Sequence, residues 1–328
     1  MRYRALGQTG LRVSELSMGG LFVSSIGAER EEGCRAVRRA LELGVNFIDT
    51  APGYHDSEDV LGLALEGVEQ PHILSTKLSR RGQQPFDPRD RDTLLRSVDA
   101  SLSRLKRDHI DILMIHEPDR PGQYDWFEDW EGFHGPVCEV LADLKSEGTI
   151  RYTGLGGTTA YTLPHIIATG DYDVVLTAFN YSLLWQEALV AVIPAAEKLG
   201  MGIIAGSPLQ QGALARCYTE EVASGARWLS PPRREQFQRL YALVREVDMP
   251  LPELALRFVL SHPSVSTTLM GARSVAEVEQ NVKCVEAGPL PQEVLDHIEP
   301  IAAMVPYRPF EEPFGLPFGR DYRGPGQA

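Results

Sequence analysis

The amino-acid sequence predicts an α/β fold in which eight parallel strands close into a (β/α)8 TIM barrel. Short apolar runs recur along the chain without strict alternation, which is typical of parallel strands buried on both faces. Helical patterns fill most of the gaps, and a chain of 328 residues is long enough for one large barrel. The predicted strands are 15–20, 46–51, 72–77, 110–116, 152–157, 174–179, 202–208 and 266–271.

The elements follow from local signals in chain order. The segment "RYRALGQTGLRVSEL" indicates an N-terminal hairpin that turns at Thr9-Gly10 before the barrel begins. The first helix, in "CRAVRRALELG", has one apolar stripe and Gly44 just past its end. Asp92 is predicted to cap "DTLLRSVDASLSRLKRD", and Ser274 to cap the helix after the last strand. Further helices are predicted at 137–148 and 187–200.

A doubly wound sheet is the rival fold. It usually has a glycine-rich phosphate turn after its first strand, and no G-x-G-x-x-G occurs here. We therefore expect residues 1–328 to form a single barrel domain with long loops at its C-terminal face and 306–328 as a C-terminal loop or tail.

The composition excludes several classes of function. A formal net charge of -13 argues against nucleic-acid binding, which needs a basic face. The four cysteines contain no C-x-x-C pair, so neither a disulfide framework nor a metal site is indicated. No signal-peptide pattern and no apolar run near 18 residues occurs. A cytoplasmic location, no membrane or nucleic-acid partner and a small-molecule substrate are expected; a homo-oligomer remains open.

Four chemical groups are predicted at neighbouring strand ends. Asp49 follows the second predicted barrel strand, Lys77 closes the third and His116 closes the fourth, while Tyr54 lies in the Pro-Gly loop after Asp49. Each alone has a plain structural interpretation, such as a cap, a rim residue or a surface aromatic. Because active sites of such barrels gather at the C-terminal strand ends, the four together predict a catalytic site.

The sequence resembles the aldo-keto reductase family along nearly its full length. The resemblance is carried by "LGQTGLRVSELSMGG", "FIDTAPGYHDSEDVLG", "ILSTK", "SLSRLKRDHIDILMIHEPD" and "GARSVAEVEQNV", in the family's order and spacing. It implies a nicotinamide cofactor bound without a Rossmann domain, and a catalytic set of Asp49, Tyr54, Lys77 and His116. Tyr54 would exchange a proton with the substrate oxygen, Lys77 would lower its pKa, Asp49 would hold Lys77, and His116 would donate a hydrogen bond to the substrate.

The cofactor pocket departs from the family pattern at three positions. Gly156-Gly157 replaces a usual Ser-Asn pair, Ala178 replaces a glutamine, and Gly206 replaces an aromatic that stacks on the nicotinamide. Either backbone amides of the glycine turn, with Thr158, Asn180 or Tyr181, take over these contacts, or the chain binds cofactor weakly. Similar departures in sugar-dehydrogenase branches of the family favour an oxidative reaction on a sugar.

The remaining cofactor contacts are implied by the resemblance. "SPLQQGAL" resembles the segment that wraps the pyrophosphate, and "GARSVAEVEQN" resembles the adenosine-binding segment. Arg273 suits a 2′-phosphate, but the carboxylate of Glu277 would repel one, so NADP is favoured on family grounds and NAD stays open. The predicted cofactor-binding residues are Gly19, Gly20, Asp49, Gly156, Gly157, Asn180, Ser207, Leu209, Gly212, Gly271, Arg273, Glu277 and Asn281.

Three segments at the barrel mouth are candidates for substrate selection. The insertion 117–136 carries aromatics among carboxylates, so it is either an acidic loop with aromatic anchors or a pocket wall for a sugar or polyol. We expect four residues to contact the substrate: Tyr54, His116, Trp126 and Trp130. Residues 216–236 form a second insertion. The segment 306–328 is a disordered tail, an ordered flap or an arm on a neighbouring subunit, with Phe310, Phe314, Phe318 and Tyr322 favouring the flap.

The leading hypothesis is an NAD(P)-dependent oxidoreductase acting on a carbonyl or the matching alcohol, including sugars and polyols. An aldolase using Lys77 as a Schiff base is disfavoured, since Asp49 should keep Lys77 charged. The alternative is a non-catalytic NAD(P)-binding regulatory subunit of the same fold.

Overall fold

A computed structural model describes residues 1–308 and 316–319 of the protein. Eight parallel strands close into a barrel in the order β10-β3-β4-β5-β6-β7-β8-β9, and an antiparallel hairpin, β1-β2, precedes them. The predicted fold class is confirmed. The strands are β1 Tyr3–Ala5, β2 Arg12–Ser14, β3 Leu16–Gly19, β4 Phe47–Asp49, β5 Ile73–Leu78, β6 Ile110–His116, β7 Ile150–Gly157, β8 Val174–Ala178, β9 Gly202–Gly206 and β10 Val265–Gly271.

Helices alternate with the barrel strands and cover the outside of the sheet. None of those in the described ranges has the length and apolar character needed to cross a membrane. The α-helices are α1 Arg30–Glu42, α2 Ser57–Ala64, α3 Arg91–Leu105, α4 Pro136–Glu147, α5 Leu163–Ile167, α6 Val192–Lys198, α7 Thr219–Ser224, α8 Pro231–Glu246, α9 Leu251–Ser261, α10 Val275–Val285 and α11 Gln292–Ala302.

Two local predictions need correction. Helix α3 is capped by Asp90, whose carboxylate accepts a 2.9 Å hydrogen bond from the amide of Thr93, so Asp92 lies in the first turn. The predicted helix at 187–200 is a 3-10 turn at Glu187–Leu189 followed by the shorter α6. Pro194 explains the break, because proline lacks an amide hydrogen and is tolerated only in the first turn of a helix. Ser274 caps α10 as predicted, accepting from the amide of Glu277.

The hairpin closes one end of the barrel and leaves the other open. Leu6 and Val13, in and beside the hairpin, are fully buried and join the apolar cluster that fills the barrel. The amide of Gln8 donates to the carbonyl of Gly200 at 2.9 Å, which ties the hairpin turn to the N-terminal side of β9. The C-terminal strand ends therefore form the accessible mouth. The interior cluster also contains Phe47, Ile73, Ile112, Met114, Val174, Leu176, Ile204 and Leu269.

Candidate active site

Three adjacent strands present charged or polar side chains at the barrel mouth. Asp49 is the last residue of β4 and pairs in register with Ser75, two residues before Lys77 in β5. Lys77 in turn pairs with Met114, two residues before His116 at the end of β6. Since neighbouring parallel strands end at the same rim, the fold brings the three predicted groups together.

Lys77 forms a buried ion pair with Asp49. Its Nζ donates to Asp49 Oδ2 at 2.6 Å and to the carbonyl of Thr50 at 2.7 Å, and the two side chains are 1% and 2% exposed. The other oxygen of Asp49 accepts from the hydroxyl of Ser75 at 2.5 Å. Burial lowers the pKa of Lys77, and the carboxylate of Asp49 opposes this change. The amine is thus fixed in one direction and shielded from water.

Tyr54 lies over this pair in the loop after β4. A turn bonded from its amide to the carbonyl of Ala51 places its ring centre 5.1 Å from Lys77 Nζ. Burial raises the pKa of Tyr54, and the negative charges of Asp49 and Glu117 raise it further. The expected lowering of this pKa by Lys77 stays a prediction. The phenol remains protonated at neutral pH.

His116 faces Tyr54 from the next strand end. The two rings meet edge to face, with centres 5.6 Å apart and an angle of 83° between planes. Burial, together with the charge of Lys77, lowers the pKa of His116 to about 3, so the imidazole is neutral at physiological pH. Its backbone carbonyl accepts from Trp126 Nε1 at 3.0 Å, which fixes the strand end against the following insertion.

A long cavity of about 1610 Å³ opens at this rim. It is larger than the roughly 300–1,000 Å³ of most small-ligand sites and has room for an extended dinucleotide beside a substrate. It extends from the Tyr54–His116 pair past Ser207 to Asn281. All but one of the residues predicted to contact cofactor line it: Gly19, Gly20, Asp49, Gly156, Gly157, Ser207, Leu209, Gly212, Gly271, Arg273, Glu277 and Asn281.

Asn180 is the exception and needs correction. It is 6% exposed, does not line the cavity, and donates to the hydroxyl of Thr177 at 3.2 Å. Tyr181, named as an alternative contact, packs its ring 5.4 Å from that of Phe258. Because both side chains are used in packing, only the glycine turn and Thr158 remain of the contacts proposed for that side of the mouth. Phe179, the residue that directly follows β8 and precedes Asn180, lines the cavity instead.

The turn after β7 is held by a residue that the sequence argument missed. Asp119 Oδ2 accepts from the amides of Thr158 and Thr159 at 2.9 and 2.5 Å. A methyl group added at Gly156 would lie 3.3 Å from Lys77 Cε, a tight contact, so a glycine lets β7 approach the buried amine. Asp119 follows His116 by three residues, and that spacing beside a strand end was the available signal.

Two lining residues carry buried polar atoms that suit a polar ligand. His116 Nδ1 and Thr158 Oγ1 have no hydrogen-bond partner within the described ranges. Buried polar atoms are almost always satisfied in a working state. Their place in a glycine-lined cavity beside Lys77 fits the polar head of a nicotinamide cofactor.

Arg273 and Glu277 form an ion pair at the far end of the cavity. Arg273 Nη2 lies 2.6 Å from Glu277 Oε1, and the backbone amide of Arg273 donates to Glu277 Oε2 at 2.8 Å. The guanidinium is 59% exposed and the carboxylate 34% exposed. A phosphate bound here would have to compete with Glu277 for the same guanidinium.

The two predicted tryptophan contacts are not at the cavity. Trp126 is fully buried, with its ring 5.3 Å from that of Tyr124, and Trp130 packs edge-on against Phe127. Neither lines the cavity, so both are anchors of the insertion. Tyr124 does line it, with its ring 6.4 Å from that of His116 at an angle of 24°. Glu117 lines it as well.

Part of the C-terminal segment packs against the second insertion. The ring of Phe318 stacks on Tyr218 with centres 4.6 Å apart and also meets Trp228 edge-on. Phe318 also lines the cavity, and the ordered flap stays a prediction. The remaining aromatics of that interpretation, Phe310, Phe314 and Tyr322, lie outside the described residues.

Comparison with known proteins identifies the class of this fold and site. A sequence profile of the Aldo/keto reductase family matches residues 16–303. L-galactose dehydrogenase from Arabidopsis thaliana is 30% identical, over 95% of this chain and 97% of its own length. A putative voltage-gated potassium channel subunit beta from Schizosaccharomyces pombe is 26% identical, over 93% and 94%. The holo form of an aldo-keto reductase from Bacillus halodurans superposes with a TM-score of 0.74 at 29% identity, covering 94% of this chain and 98% of that chain.

The chain belongs to the aldo/keto reductase family. Membership makes it an oxidoreductase of that family and implies that it binds a nicotinamide cofactor.

Proposed function

We propose that the protein transfers a hydride between a nicotinamide cofactor and the carbonyl or alcohol group of a sugar or polyol, with Tyr54 as general acid and base. One observation carries the proposal. The Lys77 ammonium, fixed by Asp49, lies 5.1 Å from the ring centre of Tyr54, with a neutral His116 across from it. Such a site can exchange a proton with an oxygen at the cavity wall.

The cofactor, when bound, supplies or accepts the hydride, and the side chains handle the proton. In reduction, Tyr54 gives its phenolic proton to the substrate oxygen as negative charge develops there. The ammonium of Lys77 stabilises the phenolate that remains. The neutral imidazole of His116 can donate one hydrogen bond to the same oxygen and so helps to orient it. In oxidation, the phenolate accepts the proton of the alcohol.

The binding of the cofactor is assigned to the residues that line the cavity. Thr158 and the backbone of the Gly156-Gly157 turn, fixed by Asp119, would hold the nicotinamide end. The turn from Ser207 to Gly212 would follow the pyrophosphate. Glu277 favours NAD over NADP, because an acidic residue at this place accepts from a ribose hydroxyl and repels a 2′-phosphate.

A sugar or polyol is favoured as substrate for two reasons. The chain is similar over nearly its whole length to a protein named L-galactose dehydrogenase. The cavity wall beside Tyr54 also combines an aromatic ring, Tyr124, with hydrogen-bonding groups from Gln123 and Glu117. Flat apolar faces with a few placed polar groups are the usual lining of small-molecule sites.

The aldolase hypothesis loses support from the geometry of Lys77. Its amine donates to two acceptors, one of them the carboxylate of Asp49, which favours the ammonium form, and an ammonium has no lone pair with which to attack a carbonyl. The regulatory-subunit hypothesis is supported by the similarity to a potassium channel beta subunit, and it predicts cofactor binding without turnover.

The test is a fluorescence titration with NADH and NADPH followed by a panel of aldehydes, aldoses and polyols. The proposal expects saturable binding and turnover of at least one panel member. Tyr54→Phe should keep cofactor affinity within about twofold and lose about 10²- to 10⁴-fold in kcat, the usual contribution of a general acid. Binding without turnover by the wild-type protein would favour the regulatory subunit, and unchanged turnover in Tyr54→Phe would remove the role of Tyr54.

A further inference from the structure

Glu117 has an unusual backbone conformation next to the catalytic residues. It follows His116 directly, and its φ of 49° lies in the left-handed region that favours glycine. Its amide donates to the carbonyl of Gly156 at 2.7 Å, which joins the ends of β6 and β7. A residue other than glycine in this conformation costs about 1–3 kcal/mol, and such residues cluster at functional sites. A role for the Glu117 side chain would explain why this position is not a glycine.

The carboxylate of Glu117 is largely enclosed, and only one of its two oxygens has a hydrogen-bond partner within the described residues. Its side chain is 12% exposed, and Oε1 contacts Arg120 Nη1 at 3.3 Å. Within residues 1–308 and 316–319, Oε2 receives no hydrogen bond. Burial raises the pKa of this carboxyl, and the nearby Arg120 opposes the change. An enclosed carboxylate with an oxygen left over within the described residues can accept a hydrogen bond from a bound ligand.

The position of Glu117 in the cavity indicates what that donor is. Glu117 shares the wall with Tyr54, His116 and Tyr124, the groups nearest the proposed reacting carbon. Its charge is close enough to the phenol to raise the pKa of Tyr54. The cofactor contacts proposed above lie on the other side, along Thr158, Ser207 and Asn281. A substrate hydroxyl close to the carbon that reacts is therefore well placed to be that donor.

We propose that Glu117 determines substrate specificity by accepting a hydrogen bond from a hydroxyl group next to the reacting carbon of a neutral, polyhydroxylated substrate. The inference rests on the proposed function and narrows its substrate class to 2-hydroxy aldehydes and the sugars that contain them. An ionised carboxylate accepts but does not donate, so it selects hydroxyl donors and repels carboxylates placed there. A site built to bond a substrate hydroxyl discriminates strongly against the analogue that lacks it.

The test compares glyceraldehyde, which has the neighbouring hydroxyl, with propanal, which lacks it, as substrates for reduction. We would measure kcat and KM for the wild-type protein and for Glu117→Gln, Glu117→Leu and Glu128→Gln. Gln and Leu retain the side-chain bulk and the same backbone strain, and thermal melting checks that they fold. Glu128 is an exposed carboxylate of the same insertion that does not line the cavity, so it is the matched control.

The wild-type protein and Glu128→Gln should prefer glyceraldehyde by the same factor in kcat/KM. That preference should fall about 10- to 100-fold in Glu117→Leu, the range for losing a hydrogen bond to a charged group, and less in Glu117→Gln. An unchanged preference, or equal losses on both aldehydes, would overturn the inference. Turnover of other panel members without reduction of either aldehyde would overturn this inference alone. Failure of the wild-type protein to turn over any panel member with cofactor bound would overturn the proposed function itself, and this inference with it.

Discussion

The two halves of the barrel mouth are built differently. At the ends of β4, β5 and β6, long side chains from Asp49, Lys77 and His116 meet under Tyr54, and the first two form a closed ion pair. At the ends of β7, β8 and β9 the corresponding rim is formed by glycine or alanine, namely Gly156, Ala178 and Gly206. The first half of the mouth is therefore lined by functional side chains. The second half offers backbone groups and open volume.

The difference shows how one barrel separates chemistry from binding. The buried ion pair of Asp49 and Lys77 would hold the proposed proton-transfer group in place, because neither partner can reorient without losing a buried hydrogen bond. Small residues opposite leave volume for a large ligand and allow its contacts with main-chain groups. Substitutions on the first half should therefore change turnover and stability, and those on the second half mainly ligand affinity.

The largest effect should come from breaking the ion pair. Lys77→Met leaves the buried carboxylate of Asp49 without its cation, which should lower the free energy of unfolding by about 3–5 kcal/mol and remove turnover. Replacing both residues, as in Asp49→Asn with Lys77→Met, should restore most of the stability and none of the turnover. Urea unfolding and steady-state rates measure the two effects.

Stability of Lys77→Met within about 1 kcal/mol of the wild-type value would mean that the pair is not closed to water. Wild-type turnover in the double variant would show that the ammonium is dispensable.

A smaller effect on kcat is expected at Gly156, where the second half of the mouth contacts Lys77 of the first half. Gly156→Ala adds a methyl group 3.3 Å from Lys77 Cε and should displace the amine slightly, lowering kcat about tenfold. Gly206→Ala is the matched control, since its methyl group would meet Leu176 and Ala178 at 3.1–3.2 Å and not the ion pair. Gly206→Ala should change cofactor affinity more than kcat. Equal effects of the two variants on kcat would contradict the separation of roles.

The smallest effect is expected at the exposed far end of the cavity. Glu277→Gln removes the carboxylate that competes for Arg273 and should improve NADPH binding relative to NADH about 2- to 5-fold, as for a solvent-exposed charge pair. Glu279→Gln, on the same helix but paired with Arg39, is the control. Fluorescence titration of both cofactors measures the ratio. No change in that ratio would contradict the role of Glu277 in cofactor choice.

The sequence predicts the first half of the mouth better than the second. Strand ends can be predicted from apolar runs, so the sequence alone places Asp49, Lys77 and His116 at one rim. The sequence does not give the net direction of the pKa change at Tyr54, because that direction depends on how far the fold removes the phenol from water. Contacts made by backbone atoms, such as those that Asp119 fixes at Thr158, leave no residue-type signature.

Residue type was misleading in the insertion after β6. Tryptophan in an acidic loop is compatible with either a ligand platform or a packing anchor, and Trp126 and Trp130 are anchors. The lining residues of that loop, Glu117, Gln123 and Tyr124, precede both tryptophans in sequence, and only the path of the chain distinguishes the two groups. The residue type of Asn180 is equally misleading, since its side-chain amide donates to the hydroxyl of Thr177 in β8.

The pH dependence of the two reaction directions tests the central claim, that the phenol of Tyr54 moves the proton, most directly. Since burial raises the pKa of Tyr54 and lowers that of His116 to about 3, neither group changes charge state appreciably between pH 5 and pH 9. Reduction uses the protonated phenol, so its kcat/KM should be flat over that range. Oxidation uses the scarce phenolate, so its kcat/KM should rise about tenfold per pH unit. A break in either profile near pH 6–7 that persists in Tyr54→Phe would assign the proton to another group and contradict the account.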